Sequence, residues 1–325
     1  MPDWIDFYKS EVRGRGAPPV GTCAGGRYLT RPSSPVGWIL LLKSTTLRRM
    51  TNAQQFRVTE VSPSYWKVTF SNGPVNLIDV DTIEQLAALV ERIEQAPELT
   101  VVVFESDNPA FFMAHFDFLA DKARIAAMRP GPTGLHPYAD NLARLRRVPA
   151  VTICAIDGRA RGAGSEFVLA TDIRFAGPHA VLGQFEVGLG TVPGGNPTGQ
   201  LARLVGRGRA MEILLGADDF PADLAAEYGY VNRVLPEGEL EAFVDAFARR
   251  IAGFDKVAVT GTKALIDQSS PIPDEEFGTA LSAYFSTVAR PVNDHRARYL
   301  FEAGLQQPDG IELELGRRIA ETNRD

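Results

Sequence analysis

"GAGSEFVLATDIRFAGPHAVLGQFEVGLG", residues 162–190, sets two glutamates, Glu166 and Glu186, in text that is otherwise apolar and rich in glycine. Such text reads as protein interior, where carboxylates are rare unless paired or put to use. The residues just before it, "AVTICAIDG" (150–158), form a continuous apolar run of the kind found in a buried strand. The run passes through "RARGAG" into "SEFVLA", giving a strand, a glycine turn and the start of a helix. That junction aims backbone N–H groups and the positive end of a helix at whatever lies above it.

Three chemistries use this geometry. A dinucleotide fingerprint would use Gly162 and Gly164, but Phe167 stands where the third glycine belongs and obstructs close packing over a pyrophosphate. A nucleophile elbow needs glycines two residues either side of Ser165, and the string Ala163-Gly164-Ser165-Glu166-Phe167 does not supply them. No histidine is reserved for Ser165 either, since His115, His136, His179 and His295 lie in loop-like contexts. The third chemistry is an oxyanion hole for a thioester or ester enolate, with nearby carboxylates moving protons. Two apolar-flanked glutamates alone more often read as ion-paired or surface groups, so the surrounding text has to decide.

That text runs Pro149 to Gly158, then Gly162-Ala163-Gly164-Ser165-Glu166 with Asp172, then Leu182-Gly183-Gln184-Phe185-Glu186, and continues as "GLGTVPGGNPTGQ" from Gly188. It resembles the crotonase (enoyl-CoA hydratase/isomerase) family from about Phe56 to Leu235, and more loosely into the C-terminal helices. The resemblance implies an α/β fold, a crotonase-like core of repeated ββα units wound in a spiral, with a helical C-terminal region. It implies two oxyanion donors, the N–H groups of Ala163 and of Phe116 in "FFMAHFD", and substrate contacts at Ala114, Phe116, Ala163, Gly164 and Gly194. Hydratases of the family carry two glutamates twenty positions apart, as Glu166 and Glu186 are. By resemblance Glu166 activates a water for attack on Cβ, and Glu186 delivers a proton to Cα of a 2-enoyl-CoA thioester. Isomerases commonly keep only one of the two, so the leading expectation is an enoyl-CoA hydratase, a hydro-lyase. An enoyl-CoA isomerase, another acyl-CoA lyase or hydrolase, and a non-catalytic acyl-CoA-binding member are the alternatives.

Hydration of a conjugated double bond needs a held water, a base, an acid and a stabilised enolate, so no cofactor and no metal are expected. The chain departs from the family pattern in three places, the first being Ala163, where glycine is usual. His115 stands where glycine is usual, and Phe118 and Leu119 follow Asp117 where a lysine often lies. Recognition of the CoA phosphates is therefore expected to come from elsewhere. His115 itself reads as a structural loop histidine packed on Phe111 and Phe112. "RLRR" (144–147) reads as a solvated helix end, and the segment from Phe111 to Met128 as an apolar loop suited to an acyl pocket or a subunit contact.

The whole chain frames these readings. Its 325 residues are 45% hydrophobic and 23% charged, an ordinary globular composition with room for a sizeable core. A formal charge of −6 without a dense basic run argues against nucleic acid or an anionic membrane as partner. Cys23 and Cys154 are the two cysteines, far apart and outside any metal-binding spacing. The apolar run at 35–42 is much shorter than the roughly 20 residues of a membrane helix, and a cytoplasmic protein is expected.

Residues 1–52 carry Gly, Pro, Ser and Arg without a sustained period and are expected to be a poorly ordered extension. The α/β core is expected over 53–255. "FRVTEV" and "YWKVTFSNG" read as strands, with Asn72-Gly73 turning into a further strand. The next segment reads as a helix capped by Asp81 or Thr82 with Ile83, Leu86, Leu89, Val90 and Ile93 on its buried face. Helical patterns dominate after 196. Residues 256–325 are expected to form a helical region that supports trimers or pairs of trimers through Phe277, Leu281 and Phe285.

Overall fold

The computed structural model describes residues 54–323; the expected N-terminal extension, with Cys23 and the apolar run at 35–42, lies outside them. Strands β1 (Phe56–Ser62) and β2 (Tyr65–Phe70) pair antiparallel from Phe56↔Phe70 to Ser62↔Tyr65. Asn72-Gly73 does not turn into another strand. Gly73 takes φ +70° and the chain enters helix α1 (Val80–Gln95). The cap of α1 is Asp79 rather than Asp81 or Thr82. Its carboxylate accepts from Thr82 N–H at 2.9 Å, while Thr82 Oγ1 accepts from Asp79 N–H at 2.9 Å, a reciprocal box that satisfies two donors at once. The predicted face is buried as read, with Ile83, Leu86, Leu89, Val90 and Ile93 all turned inward.

From here the chain alternates between two sheets. β3 (Val101–Ser106) joins the large sheet beside β2, and β4 (Phe111–Met113) starts a small one. After the short α2 (Lys122–Ala127) and α3 (Pro137–Arg147), β5 (Val151–Ile156) returns to the large sheet and β6 (Arg159–Arg161) to the small one. Helix α4 (Ala163–Leu169) follows, then β7 (Ile173–Ala176) and β8 (Val181–Gly183) repeat the step, ending in α5 (Glu186–Leu189). Each ββα unit thus gives one strand to each sheet, which is the repeated spiral that the resemblance implied. With β9 (Asp219–Pro221) and β10 (Arg233–Val234) the orders are β1-β2-β3-β5-β7-β10 and β4-β6-β8-β9. The large sheet is parallel apart from β1, and its strands are near-continuous apolar runs because both faces are covered. Residues Gln54–Phe118 and Arg129 onward form one compact unit; Leu119–Met128 falls outside it, with α2 capped by Asp121 Oδ1 on Ala123 N–H at 2.9 Å.

The remaining helices are α6 (Pro197–Leu204), α7 (Arg207–Gly216), α8 (Ala222–Tyr228), α9 (Leu240–Ala252), α10 (Lys256–Ser269), α11 (Asp274–Val288) and α12 (Pro291–Glu302). Helix α11 does not offer the uncovered face expected of it. Phe277 and Leu281 are buried in the main core with Val68, Val102 and Phe167, and Phe285 packs partly against it. Each such side chain contributes about 1.5–3 kcal/mol through burial, and the chain itself collects it. The exposed large apolar residues of this region are Val257, Leu265 and Ile266 on α10, with Leu313 nearer the C-terminus. Beyond α12 a short 3₁₀ turn (Ile311–Glu314) and α13 (Leu315–Ile319) pack Leu305, Leu315 and Ile319 with Phe185 and Leu189. Among the described residues no helix is long and apolar enough to cross a membrane.

Candidate active site

The small sheet assembles the site because its parallel strands end side by side. β4 pairs with β6 (Phe111↔Arg159, Met113↔Ala160), and Arg161 N–H extends the pairing to Ala114 O at 3.0 Å. β6 pairs with β8 up to Arg161↔Gly183, extended by Gly162 N–H to Gly183 O at 2.9 Å. The residues after each strand therefore lie next to one another: Ala114 to Phe116, Gly162 to Glu166, and Gln184 to Glu186. The segment from Phe111, read as a loop, is a buried strand up to Met113.

The central turn depends on two glycines. Gly162 takes φ +50°, and a Cβ there would stand 2.6 Å from Glu186 Oε1, so only glycine lets that carboxylate rest against the turn. A Cβ on Gly164 would meet Met113 O at 1.9 Å, so α4 lies directly on the backbone of β4. The positive φ falls on Gly162 and not on Ala163, which accommodates alanine as the first residue of α4. At that position the N–H has no partner within the helix. The Phe116 N–H is likewise without an acceptor among the described residues. Ser165 is remote from any nucleophilic role: its hydroxyl is buried in a hydrogen bond with Tyr230 Oη.

Glu166, one turn into α4, is buried with both oxygens occupied. Oε1 accepts from Gly195 N–H at 2.7 Å, and Oε2 accepts from the Tyr138 hydroxyl. Burial raises its pKa, while the hydrogen bonds from Tyr138, Gly195 and Gly194 oppose the rise. Glu186, the first residue of α5, is also buried, and its Oε2 has no hydrogen-bond partner. Burial and then the charge of Glu166 hold it well above the usual carboxylate range. Two coupled like charges in low dielectric oppose one another, and the hydrogen bonds to Glu166 favour the charge there and the proton on Glu186. Tyr138 stays a phenol, because burial and the neighbouring Glu166 push its pKa far up.

Gly194 and Gly195 sit between Glu166 and α11: a Cβ on Gly194 would touch Tyr284 at 3.2 Å, and one on Gly195 would strike Glu166 Oε2 at 2.5 Å. A narrow apolar recess lined by Phe56, Ile78, Met113, Tyr138, Leu142 and Ala163 opens beside them. Tyr138 and Gly195 escaped the sequence reading. Tyr138 lies in α3, in text that shows only a helix, and just its ring contact with Phe116, centroids 6.3 Å apart, and its bond to Glu166 reveal it.

His115 is buried as expected of a structural residue, but its ring meets Phe118 and Phe185 rather than Phe111 and Phe112. The strand alternation of β4 sends those two phenylalanines to separate clusters instead. Nδ1 lies 2.9 Å from Phe116 O and Nε2 lies 2.9 Å from Glu312 Oε1. His295 lies within α12 and is no loop residue, whereas His136 precedes α3 as its N-cap, outside the helix. The run at 144–147 is a solvated helix end only at Arg147, which is exposed at the last residue of α3; Arg144 is buried against Glu94 Oε1 at 3.0 Å and Asp140 Oδ2 at 3.3 Å. Asp172 is structural, accepting from Thr152 N–H at 2.8 Å and pairing with Lys263. Among the described residues no three His, Cys, Asp or Glu side chains converge as a metal site would require. Cys154 is buried, its thiol pushed up to about 12 by burial, and is unreactive as a nucleophile.

Comparison with known proteins agrees with this geometry. Residues 60–288 match the enoyl-CoA hydratase/isomerase family. A short-chain-enoyl-CoA hydratase of Clostridium acetobutylicum is 30% identical over 218 residues, covering 64% of this chain and 82% of its own. A crotonyl-CoA hydratase of Syntrophomonas wolfei is 31% identical over 223 residues, covering 65% and 84%. A crystal structure from Streptomyces avermitilis, provisionally described as an enoyl-CoA hydratase, superposes with a TM-score of 0.78 at 36% identity, covering 83% of this chain and 98% of that one. The match runs through the glycine turn and both glutamates of this chain, and the chain belongs to the enoyl-CoA hydratase/isomerase family.

Proposed function

We propose that this protein adds water across the double bond of a 2-enoyl-CoA thioester. The observation that carries the reading is the unequal treatment of two buried carboxylates: Glu166 has a donor on each oxygen, whereas Glu186 has an orphaned oxygen and a strongly raised pKa. One is thereby kept as a base and the other as an acid, as an addition needs. The thioester oxygen accepts from the free N–H groups of Phe116 and Ala163. Glu166 takes a proton from water as the water oxygen bonds to Cβ, and the π electrons move to the thioester oxygen. The enolate then collapses as Glu186 gives its proton to Cα. Glu166 ends protonated and Glu186 ionised, and exchange with solvent restores them.

The names of the two curated relatives support this choice over double-bond migration. The test is turnover of crotonyl-CoA alongside a 3-enoyl-CoA, with products identified by mass. A 3-hydroxyacyl-CoA from the former supports the reading. Migration of the 3-enoyl double bond without hydration makes the protein an isomerase, and binding without turnover makes it a non-catalytic member. The family also leads us to propose a trimer or a pair of trimers. Light scattering that finds only a species near the 35.4 kDa chain mass would refute that assembly.

A further inference from the structure

We propose that the C-terminal segment positions one of the two oxyanion donors, through a buried ion pair between His115 and Glu312 supported by Gln306. The inference rests on the reading of Phe116 N–H as a donor to a thioester oxygen. The peptide joining His115 to Phe116 is anchored on one side, because His115 O accepts from Ile78 N–H at 2.8 Å. In a trans peptide the N–H points opposite to the C=O, so this anchor turns the Phe116 N–H away from Ile78. Asp117 N–H to Ile78 O, at 2.7 Å, repeats the hold one residue on.

On its other side the loop is hydrogen-bonded to the C-terminal segment. Phe116 O is an acceptor, so His115 Nδ1 at 2.9 Å must carry a hydrogen; Nε2, 2.9 Å from Glu312 Oε1, then carries the second. The ring is an imidazolium and Glu312 a carboxylate. Their pKa directions agree: the pull of Glu312 outweighs the burial that would lower His115, and His115 outweighs the burial that would raise Glu312. The same Glu312 Oε1 accepts from Gln306 N–H at 2.7 Å. The Gln306 side chain spans the loop, donating to Asp117 Oδ1 at 2.7 Å and accepting from Phe118 N–H at 2.9 Å. Arg161 Nη1 holds Glu312 O at 2.7 Å, tying the segment to the end of β6.

A buried ion pair stabilises a fold little more than an apolar pair of the same volume. What this one does supply is direction, as its His115 Nδ1 bonds to Phe116 O, an atom of a peptide unit flanking the donor. His115 and Glu312, almost two hundred positions apart, are thus positioning residues. They set where the Phe116 N–H points without touching substrate.

The test is to compare wild type with Glu312→Ala and Glu312→Gln, using cinnamoyl-CoA as the probe. Its conjugated chromophore moves to the red when the thioester carbonyl is polarised. In wild type the bound probe is expected to shift. Glu312→Ala is expected to bind it with little loss, to reduce the shift, and to lower kcat for crotonyl-CoA by roughly 10- to 100-fold, below the 10²- to 10³-fold cost of losing a donor outright. KM should stay within about threefold of wild type, since a misaimed donor weakens the transition state more than the ground state. Glu312→Gln, whose amide can serve either a neutral His115 Nε2 with its NH2 or Gln306 N–H with its oxygen but not both, should show a loss between wild type and Glu312→Ala. If Glu312→Ala does not fold, Gln306→Asn takes its place: asparagine suits the φ of +64° at this residue but is one methylene too short to reach Asp117 and Phe118. An unchanged shift and unchanged kcat, or a loss confined to KM, would overturn the inference while leaving the proposed function standing. A wild type that neither binds the probe nor hydrates crotonyl-CoA would sink both.

Discussion

The two walls of the site are made in different ways. On one side Gly162 to Glu166 and Gly183 to Glu186 come from neighbouring ββα units, and backbone pairing carries them together. On the other, His115 to Phe118 is a loop fixed by Gln306 and Glu312 from the far end of the chain. The first wall costs little to organise once the sheet exists, because strand register places it. The second relies on a segment that closes a long loop of chain and must be ordered after the core. In the reading proposed above, the proton-moving carboxylates sit on the first wall, and the aim of one oxyanion donor is left to the second.

The largest effects should come from the first wall. Glu166→Gln and Glu186→Gln are each expected to lower hydration by about 10²-fold or more while leaving binding of a CoA ester nearly intact, since each removes a proton carrier and not a surface. Steady-state rates with titration of a product ester check this, and full activity in either variant would break the division of labour between the walls. Next in size is the seam where the walls touch. Gly164→Ala drives a Cβ into Met113 O and should destabilise by about 2–3 kcal/mol or prevent folding, read from urea denaturation. Gly208 in α7 faces open space, and alanine there should stabilise by about 0.5–1 kcal/mol, so a similar response at both sites would show that the close approach is unimportant.

A smaller effect belongs to Tyr138, which reaches from α3 to Glu166. Its hydroxyl lowers the pKa of Glu166, so Tyr138→Phe should move the acidic limb of the rate profile to higher pH and cut kcat about tenfold. An unmoved limb would remove Tyr138 from the mechanism. The smallest effect is on stability. Glu186 holds its proton in the fold at pH values where the unfolded chain, with an ordinary pKa near 4.5, has released it. The folded state then binds more protons, so its contribution is complete below the unfolded value and is lost as pH rises toward the folded one. Wild type should lose more stability than Glu186→Gln between about pH 5 and pH 8 in parallel thermal melts, and equal slopes would mean that Glu186 is ionised in the fold.

Much of the first wall was legible because its residues are adjacent in the text. The glycine turn, the apolar strand before it and the spacing of Glu166 and Glu186 are local facts, and local facts fix strand, turn and helix. The dominance of helix after 196 was legible for the same reason. The readings that failed depended on contacts at a distance. The true cap of α1 was misplaced by two or three residues because Asp79, Asp81 and Thr82 are all competent caps, and only the reciprocal bonds choose among them. Arg144 looked like a solvated cation until Glu94, fifty positions earlier, was seen beside it.

By itself, then, the amino-acid sequence determined the alternation of strands and helices, the turn that needs glycine at 162 and 164, and the two carboxylates that sit there. Periodicity and backbone conformational limits act over a few residues, and they suffice for that much. Tertiary structure alone decided which carboxylate keeps the proton, because Tyr138 and Gly195 reach Glu166 and leave Glu186 with an unpaired oxygen. It also decided that His115 is charged, since the partner that makes it so, Glu312, arrives only when the C-terminal segment folds back. Protonation is set by solvation and by charges a few ångströms away, and chain order does not encode those distances.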